Sequence, residues 1–193
     1  MKSVAVFCGS SEGEDKKIIQ DAYDLGKHLA TENITLVYGA ARIGIMGQVA
    51  AGALDNGGKV IGVIPDFLKI KEVYHTDLTE LIVTKTMHER KLIMHELSEG
   101  VITLPGGYGT LEELFEMITW AQLGLHAKPV GILNTNGFYN DLMAMLQTMV
   151  RKKFLKTQNY EMLLIETKIE SLLTQMKNYE PLVLPKWITK DQV

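Results

Sequence analysis

Short, unbroken apolar runs alternate with longer stretches of helical spacing along almost the whole chain, and this alternation constrains the fold more than any other feature. Residues 3–8 (SVAVFC), 34–38 (ITLVY), 59–64 (KVIGVI), 81–84, 100–104 (GVITL) and 129–133 (PVGIL) read as six strands. A strand with one wet face alternates polar and apolar residues. These runs do not, so both of their faces are buried. Residues 15–32, 44–56, 87–99, 111–123, 139–152 and 168–178 read as helices. In the first of these, Ile18, Ile19, Ala22, Leu25 and Leu29 lie near helical spacing. Asn56-Gly57-Gly58 closes the second helix in the manner of a left-handed cap. Strand alternating with helix implies right-handed βαβ units. The expected fold is therefore α/β: a doubly wound, mostly parallel, Rossmann-like sheet with helices on both faces. Residues 152–167 are polar and read as irregular, leading to a peripheral last helix, and the tail after Pro181 reads as extended or loosely held. With 193 residues and no repeat or linker, the chain is expected to be one domain, 1–193.

The formal net charge is -3, from 20 Lys+Arg against 23 Asp+Glu. A nucleic-acid partner would select a basic face, so none is expected. A single phosphate needs only a local site and stays open. Cys8 is the one cysteine, which forbids an internal disulfide and fits a reducing compartment. The apolar stretch at the start is too short for a signal-peptide core. No run approaches the roughly 20 residues of a membrane helix. The expectation is a cytoplasmic protein with no membrane partner.

In doubly wound sheets ligands bind beyond the carboxyl ends of the strands. Three loops there are rich in glycine and small residues: 8–11 (CGSS), 38–47 (YGAARIGIMG) and 104–110 (LPGGYGT). The third is the sharpest. Gly106, Gly107 and Gly109 permit positive φ and close approach of a ligand to the chain. Successive N–H groups can converge on an anion, and the helix that follows adds its positive end. Thr110 adds a hydroxyl. This turn is read as a phosphate grip. The second loop lacks P-loop spacing and matches Gly-x-Gly-x-x-Gly poorly, which weakens both an ATPase and a conventional dinucleotide enzyme. Its glycines suit either ligand binding or close helix–strand packing.

Glu113 has two readings. Thr110-x-x-Glu113 is a capping box. Alternatively Glu113 faces the cavity that the turn encloses, where a carboxylate would repel phosphate and so must serve a sugar hydroxyl or a developing positive charge. Glu116, one turn on, reads as a solvated charge. Arg90 and Lys91 either clamp an anion or form a solvated helix turn. His88 and His95 share a helix face but lack a third ligand, so no metal site is expected. His75 and His126 show no evident partner. Cys8 reads as a small buried residue rather than a nucleophile.

Taken together, these segments resemble the Lonely Guy (LOG) phosphoribohydrolases, which release cytokinin bases from riboside 5′-monophosphates. Residues 105–113 (PGGYGTLEE) match that family's PGGxGTxxE motif, 87–91 (MHERK) its MHxRK element, and 119–124 (TWAQLG) with 128–131 (KPVG) its continuation. The similarity runs from Val4 to about Phe154.

The resemblance implies a Rossmann-like homodimer that hydrolyses the N-glycosidic bond of a nucleoside 5′-monophosphate, giving free base and ribose 5-phosphate without a cofactor. It implies Arg90 and Glu113 as the catalytic pair. It further implies Glu72, Lys91, Gly106, Gly107, Tyr108, Gly109, Thr110 and Thr119 as substrate contacts. Relatives of this kind have been labelled lysine decarboxylases, but the chain has no pattern for a pyridoxal phosphate Schiff base. One departure is local: where relatives often carry a run of glycines after the second strand, this chain has Gly39-Ala40-Ala41-Arg42. The alternative reading is a carrier, similar to the molybdenum-cofactor carriers of the same superfamily, that holds a phosphorylated ligand without cleaving it.

Overall fold

A computed structural model of the chain describes residues 1–69 and 74–182. In order, these form β1 Ser3–Phe7, α1 Lys16–Thr31, β2 Thr35–Tyr38, α2 Gly44–Asp55, β3 Val60–Pro65, α3 Asp66–Lys69, β4 Glu80–Thr84 and α4 Met87–Glu96. They continue with β5 Gly100–Thr103, α5 Tyr108–Gln122, β6 Val130–Leu133, a 3-10 turn Thr135–Gly137, α6 Asn140–Arg151, α7 Thr157–Tyr160, β7 Leu163–Glu166 and α8 Ile169–Lys177. The strands make one seven-stranded sheet in the order β4-β3-β2-β1-β5-β6-β7. Every pairing between them is parallel.

The unbroken apolar runs follow from this layering. Along β1, Val4 and Val6 enter one core with Leu25 and Leu29 of α1 and Val49 of α2. Ala5 and Phe7 enter the other with Met94 of α4 and Leu114 and Met117 of α5. Successive strand residues point to opposite faces, so only a strand apolar at every position can feed both cores. Helix boundaries obey local chemistry. Asp15 caps α1 by accepting from the Lys17 N–H. At the end of α2, Gly57 takes φ +73°. Its N–H donates to the Leu54 carbonyl and that of Gly58 to the Ala53 carbonyl. This is the left-handed cap expected from Asn56-Gly57-Gly58.

The chain runs outward from β1 to β4 on one side, then crosses to β5 and continues outward to β7. The order reverses between β1 and β5, and a crevice opens at their carboxyl ends. The Gly9–Ser11 backbone and the 105–110 turn meet there.

Several readings differ from expectation: α7 lies inside the stretch read as irregular, and α8 is not peripheral but buries Ile169, Leu172, Leu173 and Met176 in the core shared with α1 and α2. β7 lies inside the stretch read as irregular. It is an edge strand of four residues, part-buried beyond Leu163, and its ladder to β6 supplies the order that its short apolar run does not announce. Helix α5 starts at Tyr108 rather than at residue 111, because Gly107 takes the extended cap conformation (φ -98°, ψ -153°) and draws Tyr108, Gly109 and Thr110 into the first turn.

Candidate active site

The turn after β5 is tied on three sides. The Leu104 N–H donates to the Phe7 carbonyl at 2.9 Å and the Gly9 N–H to the Pro105 carbonyl at 3.1 Å. The buried Tyr139 hydroxyl donates to the Leu104 carbonyl at 2.8 Å. At Gly106 a Cβ would fall 2.1 Å from Thr110 Oγ1 and 2.8 Å from the Gly9 nitrogen, so the turn folds against the β1 loop only without a side chain. No side chain caps α5. The first N–H groups of the helix therefore remain open to an anion, at the end where the helix dipole favours negative charge.

Beyond the turn lies a cleft of about 330 Å³, whose lining includes Gly107, Tyr108, Gly109, Thr110, Arg90 and Glu113. The resemblance implies all six as site residues, and the fold brings them together. The capping-box reading of Glu113 does not hold. With Gly107 as the cap, Thr110 sits inside the first turn and Glu113 a turn further on.

Arg90 is delivered by α4. Thr86 caps that helix, its hydroxyl accepting from the Glu89 N–H at 3.1 Å. Arg90 is buried, and its Nε donates to the Val63 carbonyl near the end of β3 at 3.1 Å. Its Nη1 lies 3.8 Å from Glu113 Oε1. Glu113 is only 8% exposed. Burial pushes its pKa up to about 7; Arg90 and Lys91 pull it down, and Glu112 and Glu116 push it further up. A carboxyl group with that value can both hold and release a proton near neutrality.

The other expected contacts lie elsewhere. Lys91 is buried but does not line the cleft. Its Nζ donates to Glu112 at 2.5 Å and to Glu116 at 3.1 Å, bridging α4 and α5. Burial alone would lower its pKa, but the two carboxylates outweigh that and raise it. Glu116 is thus an ion-pair partner, not the solvated charge expected. Gly106 faces the far side of the turn, in a second cleft of about 680 Å³ with Asn136 and Phe138. Thr119 is exposed on α5, outside the lining of either cleft. Glu72 lies outside the described residues.

The cleft also contains Gly39, whose loop was left between ligand binding and packing, and Met46, Leu68 and Met87, which carried no expected ligand role. Gly39 and Met46 belong to the second glycine-rich loop, which was the only signal for them. In that loop Ala40 is buried at φ +66°, a conformation costly for a residue with a side chain, and Arg42 is exposed. Cys8 lines the cleft, but burial drives its thiol pKa far upward, which keeps it protonated. Among the described residues no three His, Cys, Asp or Glu side chains group in a way that could hold a metal. His95 packs edge-on against Trp120 at 5.4 Å and tilted against His126 at 4.8 Å. His126, expected to lack a partner, also bonds the Met117 carbonyl at 2.9 Å. Burial pulls its pKa down to about 4.

A doubly wound parallel sheet with an uncapped glycine-rich helix start and a buried guanidinium–carboxylate pair at its switch point is a Rossmann-like α/β protein of the nucleotide-site type. The comparisons define it further. Residues 46–176 match the family profile described as "Possible lysine decarboxylase". The cytokinin riboside 5′-monophosphate phosphoribohydrolase LOG4 of Arabidopsis thaliana is 43% identical over 92% of this chain and 83% of its own length. LOG3 of the same plant, of the same description, is 42% identical over 93% of this chain and 84% of its own. The chain belongs to this LOG family. Among solved structures, a molybdenum cofactor binding protein from Rippkaea orientalis superposes with a TM-score of 0.70 at 24% identity, covering 92% of this chain and 97% of that one. The molybdenum cofactor carrier protein of Chlamydomonas reinhardtii gives 0.69 at 19% identity over 92% and 99%. At such identities the likeness is one of fold.

Proposed function

We propose that the chain, acting over 1–193 as one catalytic domain, hydrolyses the N-glycosidic bond of nucleoside 5′-monophosphates such as a cytokinin riboside 5′-monophosphate or AMP. The observation that carries this reading is the buried Arg90–Glu113 pair, 3.8 Å apart, in the same cleft as the Gly107–Thr110 helix start. Family membership and the names of the LOG relatives support it.

In this reading the helix start binds the 5′-phosphate and its binding energy fixes the ribose beside Glu113. The C1′–N bond breaks, positive charge builds on the sugar, and the Glu113 carboxylate stabilises that charge. Water then adds to C1′. Its oxygen forms the new bond, one proton passes through Glu113, and the departing base nitrogen ends protonated. The products are free base and ribose 5-phosphate. Arg90 holds Glu113 ionised and in place. Tyr108, Gly109 and Thr110 contact the nucleotide. Lys91, Gly106 and Thr119, expected as substrate contacts, stand outside the cleft lining and support the site from there, and Glu72 is a substrate contact on the strength of the resemblance alone. No cofactor takes part. Lys91, beside Arg90, is committed to two carboxylates.

The protein is proposed to be a cytoplasmic homodimer. No helix among the described residues is long and apolar enough to cross a membrane. A groove of about 660 Å³ between α4 and α5, with Leu92, Trp120 and Leu125 in its walls, supplies an apolar face beside the site for a second copy.

Purified protein incubated with AMP or isopentenyladenosine monophosphate should release free base and ribose 5-phosphate, resolved by chromatography. Glu113→Ala should abolish release while the far-UV circular dichroism is unchanged. Base release at the wild-type rate in that variant would remove Glu113 from the mechanism. Tight AMP binding by calorimetry with no base released by the wild type would favour a carrier instead.

A further inference from the structure

The second glycine-rich loop meets Arg90 at Gly39. A Cβ built on Gly39 would lie 2.0 Å from Arg90 Nη2, 3.3 Å from Arg90 Cζ and 2.8 Å from Met46 Sδ. The guanidinium therefore occupies the space that any side chain at 39 would need. The rest of its surroundings come from neighbouring elements. The Val63 carbonyl accepts from Nε at 3.1 Å, and Met87 Sδ lies 4.0 Å from Nη1. Gly39 follows Tyr38, the last residue of β2, and Tyr38 pairs with Gly62 of β3. Two adjacent strand ends thus form one seat.

We propose that Gly39 is a positioning residue for the hydrolysis: its missing side chain keeps open the seat that holds the Arg90 guanidinium against Glu113. The inference rests on the assignment of Arg90 and Glu113 as the reacting pair. It gives the second loop a role that neither the phosphate grip nor helix–strand packing supplies.

Two features separate this role from a folding role. Gly39 is not among the positive-φ glycines, so its backbone conformation is open to alanine. The atoms in the way are also the ends of two flexible side chains. At Gly52, by contrast, a Cβ would meet the Tyr23 carbonyl oxygen at 1.9 Å, and a main-chain clash of that kind disrupts helix packing. Alanine at 39 displaces Arg90 and Met46 and leaves the sheet in place. Gly39 also lines the cleft, so a direct need for close ligand approach is the competing explanation.

A double-mutant cycle separates the two. Wild type, Gly39→Ala, Arg90→Ala and the double variant are compared by release of radiolabelled base from AMP, which follows slow variants. Gly39→Ala is expected to unfold cooperatively and to lose about 100-fold or more in rate, the scale for losing one charge-stabilising group. In the Arg90→Ala background the same change should cost nothing further. The acid limb of the Gly39→Ala pH–rate profile should also move to higher pH. Arg90 in its seat lowers the Glu113 pKa, so its displacement raises it, while Lys91 from α4 and Glu112 and Glu116 from α5 stay in place.

An equal loss in both backgrounds would mean ligand packing and overturn the inference. So would a wild-type rate in Gly39→Ala beside an inactive Arg90→Ala. Undiminished release by Arg90→Ala would instead overturn the underlying assignment. Should Gly39→Ala alone fail to fold, the double variant, freed of the guanidinium, should fold; a double variant that stays unfolded overturns the inference.

Discussion

Glu113 is expected to cost the folded protein stability in a pH-dependent way, and Glu113→Gln isolates that cost. Burial raises its pKa from 4.5 to about 7 in the folded chain. Below pH 4.5 the group is protonated in both states and contributes nothing. Between that pH and about 7 the unfolded chain has released a proton that the folded chain still holds, so stability falls as pH rises. Above pH 7 both states are ionised and the penalty is complete. At 1.36 kcal/mol per unit it amounts to about 3 kcal/mol. Glutamine matches the neutral carboxyl in shape and cannot ionise, so the variant escapes the penalty. Urea unfolding of both proteins, at matched protomer concentration, should give a stability difference that widens in favour of Glu113→Gln by roughly 2–3 kcal/mol between pH 5 and pH 8. All other titrations cancel in the comparison. A difference that stays constant with pH, or shifts toward the wild type, would refute the claim that Glu113 is buried at the expense of its charge.

Two further outcomes are expected. The acid limb of the wild-type rate should lie near pH 7, where the carboxyl that must ionise titrates. It should move to higher pH in Lys91→Met, because Lys91 lowers the Glu113 pKa and leaves Glu112 and Glu116 uncompensated when lost; a raised KM with the limb unmoved would mark Lys91 as a direct substrate contact instead. Sedimentation should find a wild-type dimer and a Leu92→Glu monomer, since Leu92 is 47% exposed on the groove between α4 and α5. A monomeric wild type would refute the dimer.

Much of this was legible in the sequence because two signals were physically strong. Strands buried on both faces can only be written as apolar runs, so β1, β2, β3, β5 and β6 stood out; β4 was legible from its apolar residues although it is an edge strand with Val83 exposed. A ligand at a helix start needs glycine, so residues 105–110 stood out. β7 was not legible, since its short apolar run lies within a polar stretch and its order comes from pairing with β6. The start of α5 was misread by three residues because the glycines that mark a turn also serve as a helix cap and first turn. Arg90 and Lys91 are adjacent and chemically alike, and periodicity alone could not separate them. The fold gives one to the cleft and the other to Glu112 and Glu116. The seat at Gly39 was invisible for a different reason: its significance is a distance of 2.0 Å to a side chain 51 positions on, which no local pattern encodes.

The early start of α5 also explains how one helix can present opposite charges to a single cleft. Its uncapped N–H groups and dipole favour an anion, but that influence fades within the first turn. Glu113 stands six residues beyond Gly107, about 9 Å along the axis at 1.5 Å per residue. Had the helix begun at residue 111, Glu113 would sit in the first turn, stabilised as an anion by the helix end and set against the phosphate it must coexist with. Beginning at Tyr108 moves it out of that field. There burial outweighs Arg90 and lifts its pKa to about 7. In the proposed mechanism the phosphate end of the helix and its proton-handling end are then separate, with the sugar of the nucleotide between them. Gly107, by taking the cap position, keeps Glu113 out of a capping box and, in the proposed mechanism, free for chemistry.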